Sequence, residues 1–168
     1  MNLTETESLS EQIAKYISEQ IISGELVEGE RIQELRIAKE LDVSRGSVRE
    51  ALLLLERTYL IEIFPRRGAI VSEMSAQQVK ALFDTNAMVL GHIVQRMSET
   101  WRANEAEQLQ ALQDQLQEFV RAGDIEKFYD AIFQFLAEQH DMVGNPYLMQ
   151  FYKELLPSLR RSYFLTLN

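Results

Sequence analysis

Apolar residues recur with helical spacing in three stretches near the start of the chain. The first, residues 9–23, predicts a helix that Gly24 ends. Its apolar side consists of Ile13, Ile17, Ile21 and Ile22. A shorter helix has Ile37, Ala38 and Leu41 on one face, and residues 42–44 form the turn after it. The third helix has its apolar positions at Val48, Ala51, Leu52 and Leu55. Two short helices across a tight turn are the arrangement of a helix-turn-helix.

The start of the third predicted helix combines cations with small side chains. Ser44 stands just before the periodic run, where its oxygen can cap the helix. Arg45 and Arg49 face away from the apolar stripe, with Gly46 and Ser47 between them. Arginine can bind guanine O6 and N7 through two hydrogen bonds, and serine can reach a phosphate. The pattern therefore favours a recognition helix for the DNA major groove; the alternative is an ordinary pair of surface helices.

A hairpin is predicted directly after the third helix. Residues 61–64 and 69–71 are rich in β-formers and bracket the turn Pro65-Arg66-Arg67-Gly68. A two-stranded ribbon behind a recognition helix is a wing, and Arg66, Arg67 and Gly68 suit a close approach to phosphate or a groove. The alternative is a hairpin with solvated arginines. Residues 1–73 are therefore expected to form a winged helix-turn-helix with a small β wing.

The second half of the chain predicts only helices. After a short linker at residues 72–74, four amphipathic stretches cover residues 76–101, 105–122, 125–143 and 146–167. Asn104 and Asp124 are expected to cap the second and third of them. The expected inward residues of the first are Val79, Leu82, Phe83, Met88, Val89, Ile93 and Met97. Residues 75–168 should therefore form an all-α bundle, which makes the chain mainly α.

Composition narrows the classes of protein. The chain has 168 residues, 46% of them hydrophobic and 26% charged, which is typical of a folded protein. It has no Cys, no apolar run long enough for a spanning helix and no signal peptide, so we expect a cytoplasmic protein with no membrane partner. The net charge of −9 is the wrong sign for general DNA coating, but a local patch containing Arg36, Lys39 and the arginines above can still bind phosphates.

Chemistry for catalysis is not indicated. The sequence has two separated histidines, no cysteine and no Gly-rich phosphate loop, and its carboxylates lie on solvated helix faces. We therefore predict no catalytic residues, no cofactor and no enzyme.

Residues 37–56, IAKELDVSRGSVREALLLLE, resemble the GntR family of bacterial transcription regulators. The segments 43–45 and 48–52 stand where that family has VSR and VREAL, and residues 65–71 match its wing. The resemblance implies sequence-specific binding to double-stranded DNA. The expected DNA-binding residues are Arg36, Ser44, Arg45, Gly46, Ser47, Arg49, Arg66, Arg67 and Gly68.

Two positions depart from the family pattern. Many relatives have a DNA-contacting Arg directly before the Glu-Leu-Ala of the first motif helix, where this chain has Leu35 with Arg36 beside it. A different operator preference is therefore expected. Relatives also have Gly before the first wing strand, where this chain has Tyr59, which is expected to alter the left-handed cap of the helix.

The second half resembles the FCD effector domain of the FadR subfamily within GntR. Gly144-Asn145-Pro146, followed by Leu148 and Arg160-Arg161, matches its GNP stretch. The resemblance implies a transcription regulator, a repressor or an activator, that responds to a small-molecule effector. It would bind a pseudo-palindromic operator as a homodimer. The effector-binding residues are unknown, and an apolar or acyl-type effector is one possibility.

Many FCD domains hold a divalent metal with an Asp, a His four residues later and two further His. A gapless alignment from Gly144 places Ile132 and Leu136 at the first two positions, and an alternative with a small insertion places Asp130 and Gln134 there. Neither supplies a histidine, so we predict no metal site and interpret His92 and His140 as surface or pocket-edge residues.

FCD bundles have six or seven helices, whereas the sequence predicts four for this chain. We therefore interpret the chain as a C-terminally shortened form of an FCD protein. The uncovered apolar faces favour a dimer. The competing interpretation is a winged-helix interaction module without DNA binding. The negative net charge and Leu35 favour that alternative, and the arginines of the recognition helix and wing oppose it.

Overall fold

The computed structural model describes residues 7–100, 105–139 and 143–167. It is mainly helical with one small antiparallel sheet, as the sequence predicts. The elements of its first part are α1 (Leu9–Ile22), α2 (Glu34–Glu40), α3 (Arg45–Glu56), β1 (Ile61–Phe64) and β2 (Gly68–Val71). The helices that follow in the described residues include α4 (Ala76–Thr100), α5 (Glu105–Ala122), α6 (Ile125–Ala137) and α7 (Pro146–Leu167).

The chain divides into two compact units. One contains the winged helix up to Ala76 together with the chain from Arg161 onward, and the other extends from Gln77 to Arg160. The break in the middle of α7 means that the last turns of this helix are grouped with the first unit, although they lie far from it in sequence.

The core of the first unit is built from the predicted apolar stripes. In α3, the four residues that the spacing selected are the ones that are buried. All four isoleucines of the α1 stripe are buried as well, and α1 packs mainly against α3. Gly24, with φ of 82°, ends α1 in a left-handed conformation. This packing fixes the face of α3 that remains exposed.

The wing is tied to the connection between α1 and α2. In the antiparallel pair, Ile61 lies opposite Val71 and Phe64 opposite Gly68. Arg31 forms an isolated bridge to Ile70 on the other edge of β2. The Ile32 N–H donates to the Ala69 carbonyl at 2.9 Å, and both residues are buried. The connection therefore acts as a third, very short strand that holds the wing against the helix-turn-helix.

Tyr59 keeps the conformation that the family's glycine would provide. Its φ is 61°, in the left-handed region that glycine usually supplies after a helix. The tyrosine adopts this conformation at an energetic cost, because Cβ crowds the backbone there. The turn into β1 is therefore retained under strain.

Helix α6 is shorter than the sequence suggested. We predicted a helix over residues 125–143, but it ends at Ala137 with Glu138 as its C-cap. The Gln139 side chain Nε2 donates to the Phe135 carbonyl at 2.8 Å, and the Gln139 backbone N–H instead bonds to the Leu136 carbonyl. The Phe135 carbonyl also accepts from the Glu138 N–H at 3.3 Å, so a side-chain donor and a backbone donor together close this end of α6. Asp124 caps α6 as predicted, and the predicted cap Asn104 lies outside the described residues.

Burial in the second unit corrects part of the helix-face assignment. The buried stripe of α4 consists of Asn86, Val89, Ile93 and Met97. Met88 was predicted to point inward, but its side chain is 71% exposed because it lies one residue off that stripe. In α6 the buried residue is Phe133. α5 has no fully buried side chain among those described, so its apolar face is only partly covered.

In the described part of the chain, every helix is too short or too polar to cross a lipid bilayer.

Candidate nucleic-acid interface

The start of α3 is capped by the serine that the sequence predicted. Ser44 Oγ accepts from the Ser47 N–H at 3.0 Å, and the two serine hydroxyl oxygens lie 2.9 Å apart. Both hydroxyls are therefore engaged in organising the helix end. Gly46 lies between them, and a Cβ built there would meet Ser44 Oγ at an ordinary 3.5 Å. The protein's own packing thus does not demand glycine at this position.

Arg45 and Arg49 share one carboxylate oxygen. Arg49 Nε donates to Glu34 Oε2 at 2.9 Å, and Arg45 Nη2 lies 3.4 Å from the same oxygen. The two arginine side chains are 53% and 62% exposed, whereas that of Glu34 is only 23% exposed. The two guanidinium groups therefore face solvent while both contact the largely covered carboxylate of Glu34 at the start of α2.

The wing tip turns tightly and points its cations outward. Pro65 followed by Arg66 at φ of 64° is the combination that a type II turn uses, although glycine is usual at the second of these positions. Arg67 N–H donates to the Phe64 carbonyl at 3.2 Å and closes the turn. Gly68 has φ of 84°, where an L-residue would be strained. Both tip arginines are exposed.

Arg31 adds a cation to the base of the wing. Its Nε and Nη2 lie 3.6 and 3.7 Å from the position that a Cβ on Gly68 would occupy. Both distances are ordinary van der Waals contacts, so the left-handed backbone at Gly68, rather than a lack of space beside Arg31, is what favours glycine there. No sequence pattern places Arg31 at the wing, because only the tertiary bridge to Ile70 brings it there.

Arg36 belongs to different surroundings. It lines a shallow groove with Lys39, Gln20 and Glu25, beside the end of α1. In the same region the Tyr16 hydroxyl donates to Glu40 Oε1 at 2.6 Å, and this bond raises the pKa of Tyr16. The structure thus brings Arg45 and Arg49 together on Glu34, and Ser44 and Ser47 together, but among the described residues Arg36 does not share the Glu34 carboxylate with the α3 arginines.

Glu34 is a residue of this site that no sequence motif marks. It precedes Arg45 and Arg49 by 11 and 15 residues, respectively, and no short-range pattern links these positions. The signal that could have found it is its place at the first residue of α2, next to a predicted cation pair. A carboxylate at that position faces α3 across the turn.

The second unit does not fit a metal ion at the positions that the family resemblance marks. Ile132 and Leu136 are partly buried hydrocarbons. Asp130 accepts from Arg160 through both oxygens, at 2.7 and 3.0 Å, so its charge is already matched. The described residues contain no group of three potential ligands. His92 is exposed, and His140 lies outside the described residues.

The partly covered face of α5 borders an open apolar groove. Its lining includes Leu109, Leu112, Leu116, Val120 and Phe128, from α5 and α6. Val120 is 67% exposed, which is high for a branched aliphatic side chain on an amphipathic helix.

Comparison with protein families gives two adjoining matches. Residues 9–71 match the family described as bacterial regulatory proteins, gntR family, and residues 81–168 match the FCD domain. These two matches cover the helix-turn-helix with its wing and nearly all of the helices that follow.

Individual proteins agree with the family matches. The chain is 31% identical over 111 residues to the HTH-type transcriptional regulator YdhC of Bacillus subtilis (strain 168), covering 66% of this chain and 48% of that protein. It is 32% identical over 78 residues to the HTH-type transcriptional repressor RspR of Escherichia coli (strain K12), covering 46% of this chain and 34% of that protein. The matched segment thus spans half or less of these relatives.

A solved structure supports the same fold. E. coli McbR/YncC superposes with a TM-score of 0.73 at 24% identity, covering 94% of this chain and 76% of that one. Likeness at this level of identity shows the architecture of a winged helix followed by a helical domain.

Proposed function

The chain belongs to the gntR family of bacterial regulatory proteins, in the branch that carries an FCD domain, and we propose that it is a ligand-responsive transcription regulator that binds operator DNA sequence-specifically. The family is one of regulators rather than enzymes. The proposed site consists of the exposed start of α3 and the wing, with Arg36 as an additional phosphate contact.

The observation that carries the proposal is the arginine pair on Glu34. Two guanidinium groups stand on one exposed face of α3, separated by one helical turn and tied to the same carboxylate. In helix-turn-helix proteins, side chains at the start of the recognition helix reach base edges in the major groove. Arginine is the side chain best suited to guanine there, because its two parallel donors match O6 and N7.

The wing supplies contacts that carry no sequence information of their own. Arg66 and Arg67 are exposed at a tip held by the bridge between Arg31 and Ile70. Cations at such a tip favour phosphates or the minor groove, and they fix the register of the protein on the duplex.

We propose that the functional form is a homodimer on a pseudo-palindromic operator. Helix-turn-helix dimers place two recognition helices on half-sites about one helical turn apart, so a two-fold axis in the protein matches one in the DNA. The uncovered apolar groove of α5 and α6 supports self-association, since burying such a surface is favourable.

We further propose that the helical unit binds a small-molecule effector that changes DNA affinity. The FCD match supports this assignment, and the hydrocarbon residues at the metal positions favour an effector site without a metal. A coupling free energy of about 1–3 kcal/mol would change operator affinity by roughly 5- to 150-fold.

Selection of DNA by the purified protein tests the proposal. Sheared bacterial genomic DNA is incubated with wild-type protein, with Arg45→Ala/Arg49→Ala, and with the control Lys80→Ala/Lys153→Ala, and the retained DNA is sequenced. The control removes the same charge from exposed positions on α4 and α7, outside the apolar groove of α5 and α6. We expect wild type and control to enrich one short palindrome that the α3 variant does not enrich.

The opposite result has a defined meaning. If folded wild-type protein enriches no sequence at low salt, sequence-specific DNA binding is wrong for this chain, and the winged-helix interaction module becomes the better assignment. Sedimentation analysis of the same preparation tests the homodimer independently, because a monomer at all concentrations would contradict it.

A further inference from the structure

We propose that Glu34 is a positioning residue that determines how sharply this protein discriminates between DNA sequences, by fixing the orientation of Arg45 and Arg49. The inference rests on the proposed function and deepens it. Its basis is that Arg45 and Arg49, both at the exposed start of α3, contact the same carboxylate oxygen of Glu34 on α2.

The contact to Arg49 selects which edge of its guanidinium group can read a base. Glu34 Oε2 accepts from Nε at 2.9 Å, so the side edge of the fork is occupied. Within the described residues, no other group engages the two terminal nitrogens of Arg49. A guanidinium held in this way offers its terminal pair of donors, the geometry that matches guanine O6 and N7.

Arg45 is held more loosely by the same oxygen. Its Nη2 lies 3.4 Å away, compared with 2.9 Å for Arg49 Nε. Because Glu34 is the first residue of α2, its backbone is fixed by the buried neighbours Ile37 and Ala38. The carboxylate therefore acts as a rigid reference point for two long side chains that would otherwise sample many rotamers.

Stability alone gives little reason for an acid at this position. Both arginines are more than half exposed, and ion pairs of this kind contribute little to folding. A carboxylate near the DNA backbone repels phosphate, so it lowers affinity for every sequence. A group that weakens general binding while orienting the base-reading side chains increases the ratio of specific to non-specific affinity.

The test measures that ratio for Glu34→Gln and Glu34→Asp. The probes are the duplex most enriched by wild type from a random-sequence pool and a scrambled duplex of equal length, followed by fluorescence anisotropy. Glu34→Gln removes the charge, so we expect scrambled-duplex affinity to rise about 2- to 5-fold while the ratio falls about 5- to 30-fold. Glu34→Asp keeps the charge but shortens the reach, so the ratio should fall without that rise.

Glu62→Gln is the matched control. Glu62 is an exposed acid on the wing strand β1, and the structure gives it no side-chain partner among the described residues. Its substitution removes the same charge, so both duplexes should bind slightly better and the ratio should stay unchanged. Thermal melting of each variant verifies that the fold is retained.

Selection from the random pool adds a readout that a purely structural role would not change. The base position whose preference weakens in Glu34→Gln should be the one that weakens in Arg49→Ala. The inference is overturned if Glu34→Gln raises both affinities equally, as Glu62→Gln does, or leaves every base preference intact. If wild type itself does not discriminate between the duplexes, the proposed function fails first, so the two failures are distinguishable.

Discussion

Arg49 and Arg66 carry the same charge, but one lies on a packed helix and the other at the tip of a hairpin. Arg49 extends from a packed helix and is tied to Glu34 at 2.9 Å, whereas Arg66 stands at the tip of a hairpin in a left-handed backbone conformation. A side chain held in one orientation on a packed helix can recognise a base, because recognition requires two simultaneous hydrogen bonds to the base edge. A side chain at a turn suits a phosphate, which accepts from many directions.

Arg49→Ala is expected to weaken operator binding by about 1–3 kcal/mol and to relax the preference at one base pair in each half-site. Anisotropy titrations with the selected duplex and with its single-base variants measure both effects. Lys153→Ala, on α7, is the control for a general loss of positive charge. Wild-type operator affinity in Arg49→Ala would remove this arginine from the interface.

Arg66→Ala should weaken binding to all duplexes by a similar factor. It should also make the dependence of log affinity on log salt concentration shallower by about 1, because one phosphate contact is lost. Titrations at several salt concentrations measure the slope, and Arg66→Lys, which keeps the charge, should retain most of it. A change of base preference without a change of slope would contradict the phosphate assignment.

The helix ends show how single residues determine element boundaries. Ser44 caps α3 through a 3.0 Å bond, and Gln139 ends α6 by taking the Phe135 carbonyl. The first is a local signal between residues three apart, which the sequence reveals directly. The second depends on a long side chain turning back on its own helix, which no simple pattern predicts.

Tyr59→Gly is expected to stabilise the first unit by about 0.5–1 kcal/mol. Glycine removes the cost of the left-handed conformation, about 1–2 kcal/mol, and gives part of it back as additional freedom of the unfolded chain. Little packing is lost, because the tyrosine is 63% exposed. Urea unfolding measures the gain.

Tyr59→Ala is the matched control for Tyr59→Gly. It removes the same side chain but keeps Cβ, so the strain at φ of 61° remains and no stabilisation is expected. Equal stability of the alanine and glycine variants would show that this backbone conformation carries no appreciable cost.

At the scale of the whole molecule, sequence order and spatial grouping disagree at α7. The residues from Arg161 onward are grouped with the winged helix, more than 80 residues after the wing ends. Arg161 is 2% exposed, and its Nη2 donates to Glu28 Oε1 at 3.1 Å and to the Ser72 carbonyl at 2.7 Å. Burial lowers the pKa of Arg161, and the negative charge of Glu28 partly offsets this lowering.

Arg161→Ala is expected to destabilise the first unit by about 2–3 kcal/mol, because it removes charge-assisted hydrogen bonds and leaves the Ser72 carbonyl without this donor. Arg161→Met should lose less, since it keeps most of the volume and avoids burying a charge. Urea unfolding measures the loss. Hydrogen exchange should show faster opening around residues 26–32 and 69–73 in the alanine variant; unchanged exchange there would contradict the anchoring role.

The stripes of the first unit were readable from the sequence because their cause is local. A helix places residues i, i+3, i+4 and i+7 on one side, so the spacing of Val48, Ala51, Leu52 and Leu55 already identifies the buried face. The exposed start of α3 follows from the same stripe. Capping by Ser44 and the hairpin turn at Pro65 are likewise set by neighbouring residues.

The second unit was readable only in part, because its apolar faces are broad. Where several faces of a helix are apolar, the neighbouring helices decide which one is buried. α4 thus buries Asn86 and exposes Met88, opposite to what hydrophobicity alone predicts. The family resemblance to the FCD domain, carried by a few motif residues, was more informative there than periodicity.

By itself, the sequence determined the order of the elements, the exposed face of α3 and the family, since each depends on residue types within a few positions of one another. Only the tertiary structure decided that Glu34 meets Arg45 and Arg49, and that Arg161 meets Glu28 across 133 residues. Such contacts leave no periodic trace, because chain folding rather than helical geometry brings the partners together. The contact of Glu34 with Arg45 and Arg49, on which the proposed DNA interface depends, therefore appears only in the folded protein.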